Sequence, residues 1–174
     1  MGVMGAMPVA RSRLVEWSLV AAVIIALALA FAYYVNRVRG QSELAAIRLT
    51  VGALRATLAV EDLRQKLPQA TPSTALIPNN PFELLRQRPG NYRGEVLDAQ
   101  SAGALATPGN WVFERTCACV AYRPLDMYWL DSPSGDALLW FYVLDPQGKK
   151  QTSNQGPLRL VAREAYRWQG QLID

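Results

Sequence analysis

Few residues in this chain have the types or spacing that chemistry needs. It contains no histidine, which removes the commonest general base, proton shuttle and metal ligand together. Cys117 and Cys119 form a Cys-Ala-Cys run. On a strand this spacing puts both side chains on one face and would strain a mutual disulfide, so two small, buried or half-buried thiols are expected. Redox or metal chemistry is the alternative, although a cysteine pair supplies only half a zinc site. Glu61 and Asp62 fall on a predicted helix as solvated charges, and no nucleophile elbow or phosphate-binding glycine loop is present. The loop after Asp145 offers Gln147, Lys149 and Lys150, few hard oxygens and two cations that repel calcium. The expectation is therefore no catalytic residue, no metal, no cofactor and no small-molecule substrate.

With 174 residues, 51% of them hydrophobic, the chain can build one core and an anchor. The formal charge is +4, but residues 41–174 hold 14 Lys and Arg against 13 Asp and Glu. The excess sits around the apolar segment. A nucleic-acid binder would carry a basic stripe on its domain, because phosphate neutralisation supplies most of its affinity, and no nucleic-acid partner is expected.

Residues 17–35, WSLVAAVIIALALAFAYYV, run for 19 positions without a charge, about 28 Å of helix and so bilayer length. Trp17 stands at one end and Tyr33 with Tyr34 at the other, bracketed by Arg11, Arg13, Arg37 and Arg39, as interfacial belts require. A cleaved secretory signal is the competing reading, with Ala28-Leu29-Ala30 and Ala30-Phe31-Ala32 as small-residue sites. The apolar run exceeds an ordinary signal core of about 7 to 15 residues, and the helical pattern continues past both sites. A retained single-pass anchor in membrane lipid is expected. Arginines flank both ends, so charge does not fix the orientation.

Beyond the span, Leu44, Ile47, Val51, Leu54 and Leu58 recur in steps of three and four and share one helical stripe, while Arg48, Arg55 and Glu61 leave it. Proline is absent between Ser12 and Leu67, Gly40 and Gly52 are the weak points, and Pro68 supplies a stop. One rod of about 55 residues and ~80 Å is predicted. Its stripe must be covered by a sheet of the same chain or by a coiled-coil partner, and the repeat is short for a coiled coil.

The organisation expected is a short segment 1–13, a transmembrane helix 14–36, its amphipathic continuation 37–67 and a β domain 68–174. Residues 68–81 hold four prolines and form an irregular connection. Asn80-Pro81-Phe82-Glu83 has the cap, first-turn proline and acid of a short helix reaching about Arg86. After a turn at Arg88-Pro89-Gly90-Asn91, segments 111–113, 118–122, 137–144 and 158–168 are rich in aromatic and branched residues and read as antiparallel strands. Residues 146–157 read as a hairpin loop between the last two. Trp111, Trp129, Trp140 and Trp168 are expected in the core. The fold class is α+β, a long helix packed on a small antiparallel sheet.

This pattern resembles the type IV pilin and type II secretion pseudopilin family. Ser12-Arg13-Leu14-Val15-Glu16-Trp17 aligns with the start of the family's mature helix and places Glu16 on its fifth-position glutamate. Asn80-Pro81-Phe82, Pro89-Gly90-Asn91-Tyr92, Pro108-Gly109-Asn110-Trp111-Val112-Phe113, Val120-Ala121-Tyr122-Arg123-Pro124, Leu158-Arg159-Leu160-Val161 and Tyr166-Arg167-Trp168 are similar, in this order, to segments of pseudopilin-like proteins. The resemblance implies an assembly role for Glu16, whose carboxylate would pair with a neighbouring subunit's N-terminal amine. Such pairing offsets a cost of roughly 2.5–3.5 kcal/mol for an acid at the bilayer centre. The alternative places Glu16 in the first helical turn at headgroup level, where the dipole favours it. At the leader junction, Arg11 precedes Ser12 where the family has glycine. That departure implies an uncleaved protein, similar to atypical accessory components of mannose-sensitive-haemagglutinin-type pilus systems. The implied partners are other pilin-like or pseudopilin subunits and assembly-platform proteins, in the inner membrane with the β domain periplasmic. A membrane scaffold that recruits such machinery without entering a filament is the alternative.

Overall fold

The computed structural model describes residues 9–66, 80–144 and 159–173, and contacts divide the chain into two units, Met1–Ser42 and Glu43–Asp174. Helix α1, Val9–Lys66, supplies residues to both. Pro8 and Pro68 flank it, and its interior has none to break the hydrogen-bond ladder. Hydroxyls within it bond back to its own carbonyls, Ser18 to Val15 at 2.8 Å and Thr57 to Ala53 at 3.1 Å, so no separate partner is needed for them.

In the second unit α1 turns one stripe inward. Leu44, Ile47, Val51, Leu54 and Leu58 are all buried in the main core, whereas Arg48 and Arg55 on the flank reach the carbonyls of Leu172 and Leu160. Full burial of each such side chain contributes about 1.5–3 kcal/mol, which makes the stripe the largest single helical contribution to this core.

The stripe meets a five-stranded sheet in the order β1 (Tyr92–Val96), β2 (Trp111–Glu114), β3 (Cys119–Tyr122), β5 (Leu139–Leu144), β6 (Arg159–Ala162). Strands alternate faces. Trp111, Phe113, Val120, Tyr122, Leu139 and Phe141 join the helical stripe, and Val112, Cys119, Ala121, Leu138 and Trp140 form a second cluster on the other face. Helix α2, Ala99–Leu105, covers that second face through Ala102, and Ala106 after it adds to the cluster; small side chains let the backbone come close. Asp98 caps α2 by accepting from the Ser101 amide at 2.7 Å, as short polar residues at this position do. Both faces of β2 and β3 are thus buried.

The architecture is α+β as expected, but the sheet is mixed. β1 runs parallel to β2, because α2 lies between them as a crossover, the connection a parallel pair needs. Gly94, at a φ of 115°, sits where the β1 register shifts, a conformation open to glycine. The predicted strand over 158–168 divides at Glu164. Its carboxylate accepts both the Ser132 and Ser134 hydroxyls, at 2.6 and 2.8 Å, and the chain then enters a second sheet of β4 (Leu130–Asp131), β7 (Arg167–Trp168) and β8 (Gln171–Leu172). Gln169 and Gly170, both at positive φ, make the two-residue turn between β7 and β8 that strand twist favours. The short helix is a single 3-10 turn, Pro81–Leu84, with Asn80 accepting from the Phe82 amide. Trp111, Trp129, Trp140 and Trp168 are all buried. The proline-rich connection at 67–79 and the loop at 145–158, with Gln147, Lys149 and Lys150, lie outside the described residues.

Leu54 is fully buried and Leu49 is 76% exposed on the same helix. Urea unfolding followed by tryptophan fluorescence is expected to show Leu54→Ala losing about 2–5 kcal/mol and Leu49→Ala staying within about 0.5 kcal/mol. Leu54→Asp is expected to leave no cooperative transition.

Candidate functional site

Four places bring together side chains that could serve a function. The first is α1 in unit Met1–Ser42. Every described side chain over 13–34 is exposed, including Trp17, Ile24, Leu29 and Phe31. Water solvates such a surface poorly, and an apolar helix surface without a protein partner needs lipid or another apolar helix. Among the described residues this is the one helix long and apolar enough to cross a membrane. Glu16 is an exposed carboxylate in its N-terminal part. Arg11 and Ser12 lie on the same helix.

The second is Glu43, which the sequence reading passed over. The signal was available, because stepping back four from Ile47 on the buried stripe lands on this acid. It is buried, and its Oε1 accepts the Tyr122 hydroxyl at 2.7 Å and the Leu125 amide at 2.8 Å, while Oε2 has no partner. Burial raises its pKa above the ordinary 4.5 despite those two hydrogen bonds, and Asp126 adds to the rise. Burial and Glu43 together push the Tyr122 phenol upward as well.

The third is the turn between β2 and β3. Here the expectation of two thiols is overturned: Cys117 and Cys119 are joined as a disulfide, leaving no free cysteine. The spacing argument assumed a strand, where i and i+2 stand about 6.7 Å apart. Cys117 instead lies in a turn, Ala118 takes a left-handed φ of 52°, and the Cα atoms close to 5.2 Å, within the range a disulfide spans. Buried Glu114 holds this turn, accepting the Thr116 amide at 2.6 Å and the Cys117 amide at 3.1 Å. Chain-entropy reasoning gives a loop this short only about 1.6 kcal/mol of stabilisation, roughly half that of a 15-residue loop. The crosslink is thus a weak staple. A Glu114 oxygen and the two sulfurs lie within 4.8 Å of one another, but sulfurs held in a disulfide are not the thiolates that bind a metal.

The fourth is a groove of about 490 Å³ lined by Asn80, Glu83, Glu95, Leu97, Phe113, Arg115 and Thr116. Its charges are already engaged: Arg115 pairs with Glu95 at 3.7 Å and Arg88 with Glu83 at 3.6 Å, while Asn80 donates to both Tyr92 and Glu95.

No family model, curated protein or solved structure matches this chain. The exposed apolar surface of α1 over 13–34 is the most extensive of the four places.

The raised Glu43 pKa fixes a sign. Its contribution to stability is complete below pH 4.5, the ordinary value, and is lost as pH rises through the higher folded value. Urea midpoints of the wild type and Glu43→Gln, compared from pH 4 to 7, are expected to show the wild type losing ground to the variant as pH rises; a constant difference would contradict the burial account.

Proposed function

We propose that this protein is a pilin-like structural or assembly component, held in the inner membrane by α1, with its sheet unit in the periplasm, serving a type IV pilus or type II secretion system. One observation carries the reading. A single helix presents an entirely exposed apolar surface over 13–34 and a buried stripe over Leu44, Ile47, Val51, Leu54 and Leu58. That division suits a helix that packs among lipid and like helices at one end and carries a folded unit at the other. The order of segments resembling pseudopilin-like proteins supports the same reading. Its partners are other pilin-like subunits and assembly-platform proteins, and its chemistry is association rather than turnover.

Glu16 is the residue assigned to subunit pairing. An exposed carboxylate on the apolar helix costs least in lipid when a neighbour supplies a cation. Arg11 before Ser12 favours a second reading, an uncleaved scaffold that recruits such machinery without entering a filament.

Glu16→Ala is expected to stay with membranes and keep a protease-resistant sheet unit, yet to lose most of its crosslinking to pilin-like subunits. Undiminished crosslinking would contradict the pairing role. The mature N-terminus separates the two readings: Ser12 supports the filament subunit, and Met1, Met4 or Met7 supports the scaffold.

A further inference from the structure

We propose that the turn between β2 and β3 is a thiol–disulfide exchange site, at which Cys117 and Cys119 cycle between disulfide and dithiol against an external dithiol, with Glu114 handling the proton. Three observations converge there. The crosslink joins residues only two apart, so it does little as a staple. The two sulfurs differ in access, with Cys117 half-buried and Cys119 fully buried. A carboxylate that is itself buried, Glu114, has an oxygen within 4.8 Å of both sulfurs.

The turn is also held independently of the sulfurs. Glu114 takes the Thr116 and Cys117 amides, the Arg115 amide donates to the Val96 carbonyl at 3.0 Å, and the Val143 amide donates to the Ala118 carbonyl at 3.3 Å. Breaking the disulfide therefore leaves the backbone frame in place, Ala118 and its left-handed φ included. Nearby, Arg115 and Glu95 are engaged with each other as an ion pair at 3.7 Å.

Access sets the order of events. A thiolate of the external dithiol attacks Sγ of Cys117; the bond to Cys119 breaks, and Cys119 departs as a thiolate that is then protonated. The donor's second thiol attacks the mixed disulfide, releasing Cys117 as a thiol and leaving the donor as a cyclic disulfide. The protein gains two electrons and two protons, and the donor loses the same. In the oxidising direction Cys117 is first held as a mixed disulfide with one sulfur of the external disulfide. The Glu114 carboxylate accepts the proton of the buried Cys119 thiol, and the resulting thiolate attacks Sγ of Cys117, forming the Cys117–Cys119 bond and releasing the external sulfur as a thiolate.

The test uses the full chain in detergent, with dithiothreitol as the dithiol. Without reductant, maleimide is expected to label no cysteine after denaturation. Graded ratios of reduced to oxidised dithiothreitol are expected to give a reversible two-thiol transition with near-ultraviolet dichroism retained. Cys119→Ser, which keeps Cys117, is expected to form a mixed disulfide with oxidised glutathione at least ten-fold faster than Cys117→Ser. Glu114→Gln is expected to change the pH profile of reoxidation. Thiols that label without reductant, or a disulfide reducible only after unfolding, would overturn the site, and both are read on the unmutated protein. Equal rates for the two cysteine variants would overturn the order of attack, and superimposable pH profiles would overturn the role of Glu114.

Discussion

An apolar helical surface must leave water, and α1 carries two such surfaces of different kinds. Over 44–58 the apolar positions are confined to one stripe, which the sheet of the same unit covers. Over 13–34 they run around the whole circumference and nothing in that unit covers them. Area makes the difference consequential. Each large apolar side chain moved out of water is worth about 1.5–3 kcal/mol, so more than a dozen exposed ones outweigh the whole net stability of an ordinary small domain, about 5–15 kcal/mol. Over this range the helix is long and apolar enough to cross a membrane, and lipid or other apolar helices would remove that surface from water.

The polar groups kept inside the sheet unit mark its ends and joints. Glu43 joins the helix to the end of β3 and the following loop; Glu114 organises the tight turn that precedes β3; Tyr166, fully buried, accepts the Trp140 amide at 3.0 Å through its hydroxyl, whose pKa burial pushes up to about 12. Each accepts a backbone amide, Glu43 that of Leu125, Glu114 those of Thr116 and Cys117, and Tyr166 that of Trp140. Of these three, Glu43 is the one with an oxygen left unsatisfied, and that leaves its cost open to pH. Glu114 is fully engaged, and that lets the turn around it keep its form in either state of the sulfurs.

What could be read from the sequence followed the strength of the local pattern. The stripe from Leu44 to Leu58, the Asn80 cap and the strands around Phe113, Val120 and Phe141 each carry a period or a cap that local physics dictates. The elements that were missed carry none. β1 holds Gly94 and alternating charges, and α2 is seven residues of mostly Ala, Gly and Ser, so neither stands out from a loop. The parallel pairing of β1 and β2 was illegible for the same reason, since it depends on β1 and on α2 as the crossover. The disulfide was missed because one residue, Ala118, adopts a conformation that alanine seldom takes and so converts an expected strand into a turn. Glu43 is a charged residue one turn before Ile47 on the same stripe, and its burial depends on Tyr122 and Leu125, which are about 80 residues away in sequence.

The most direct test of the account is a spin-label scan of the full chain in lipid bilayers, one label at a time from position 17 to 35 and at positions 49 and 63. Labels over the first range are expected to be accessible to oxygen and shielded from a water-soluble nickel reagent, with both exposed positions, Leu49 and Leu63, showing the reverse. Nickel access throughout 17–35 would contradict the proposal that this segment lies in lipid.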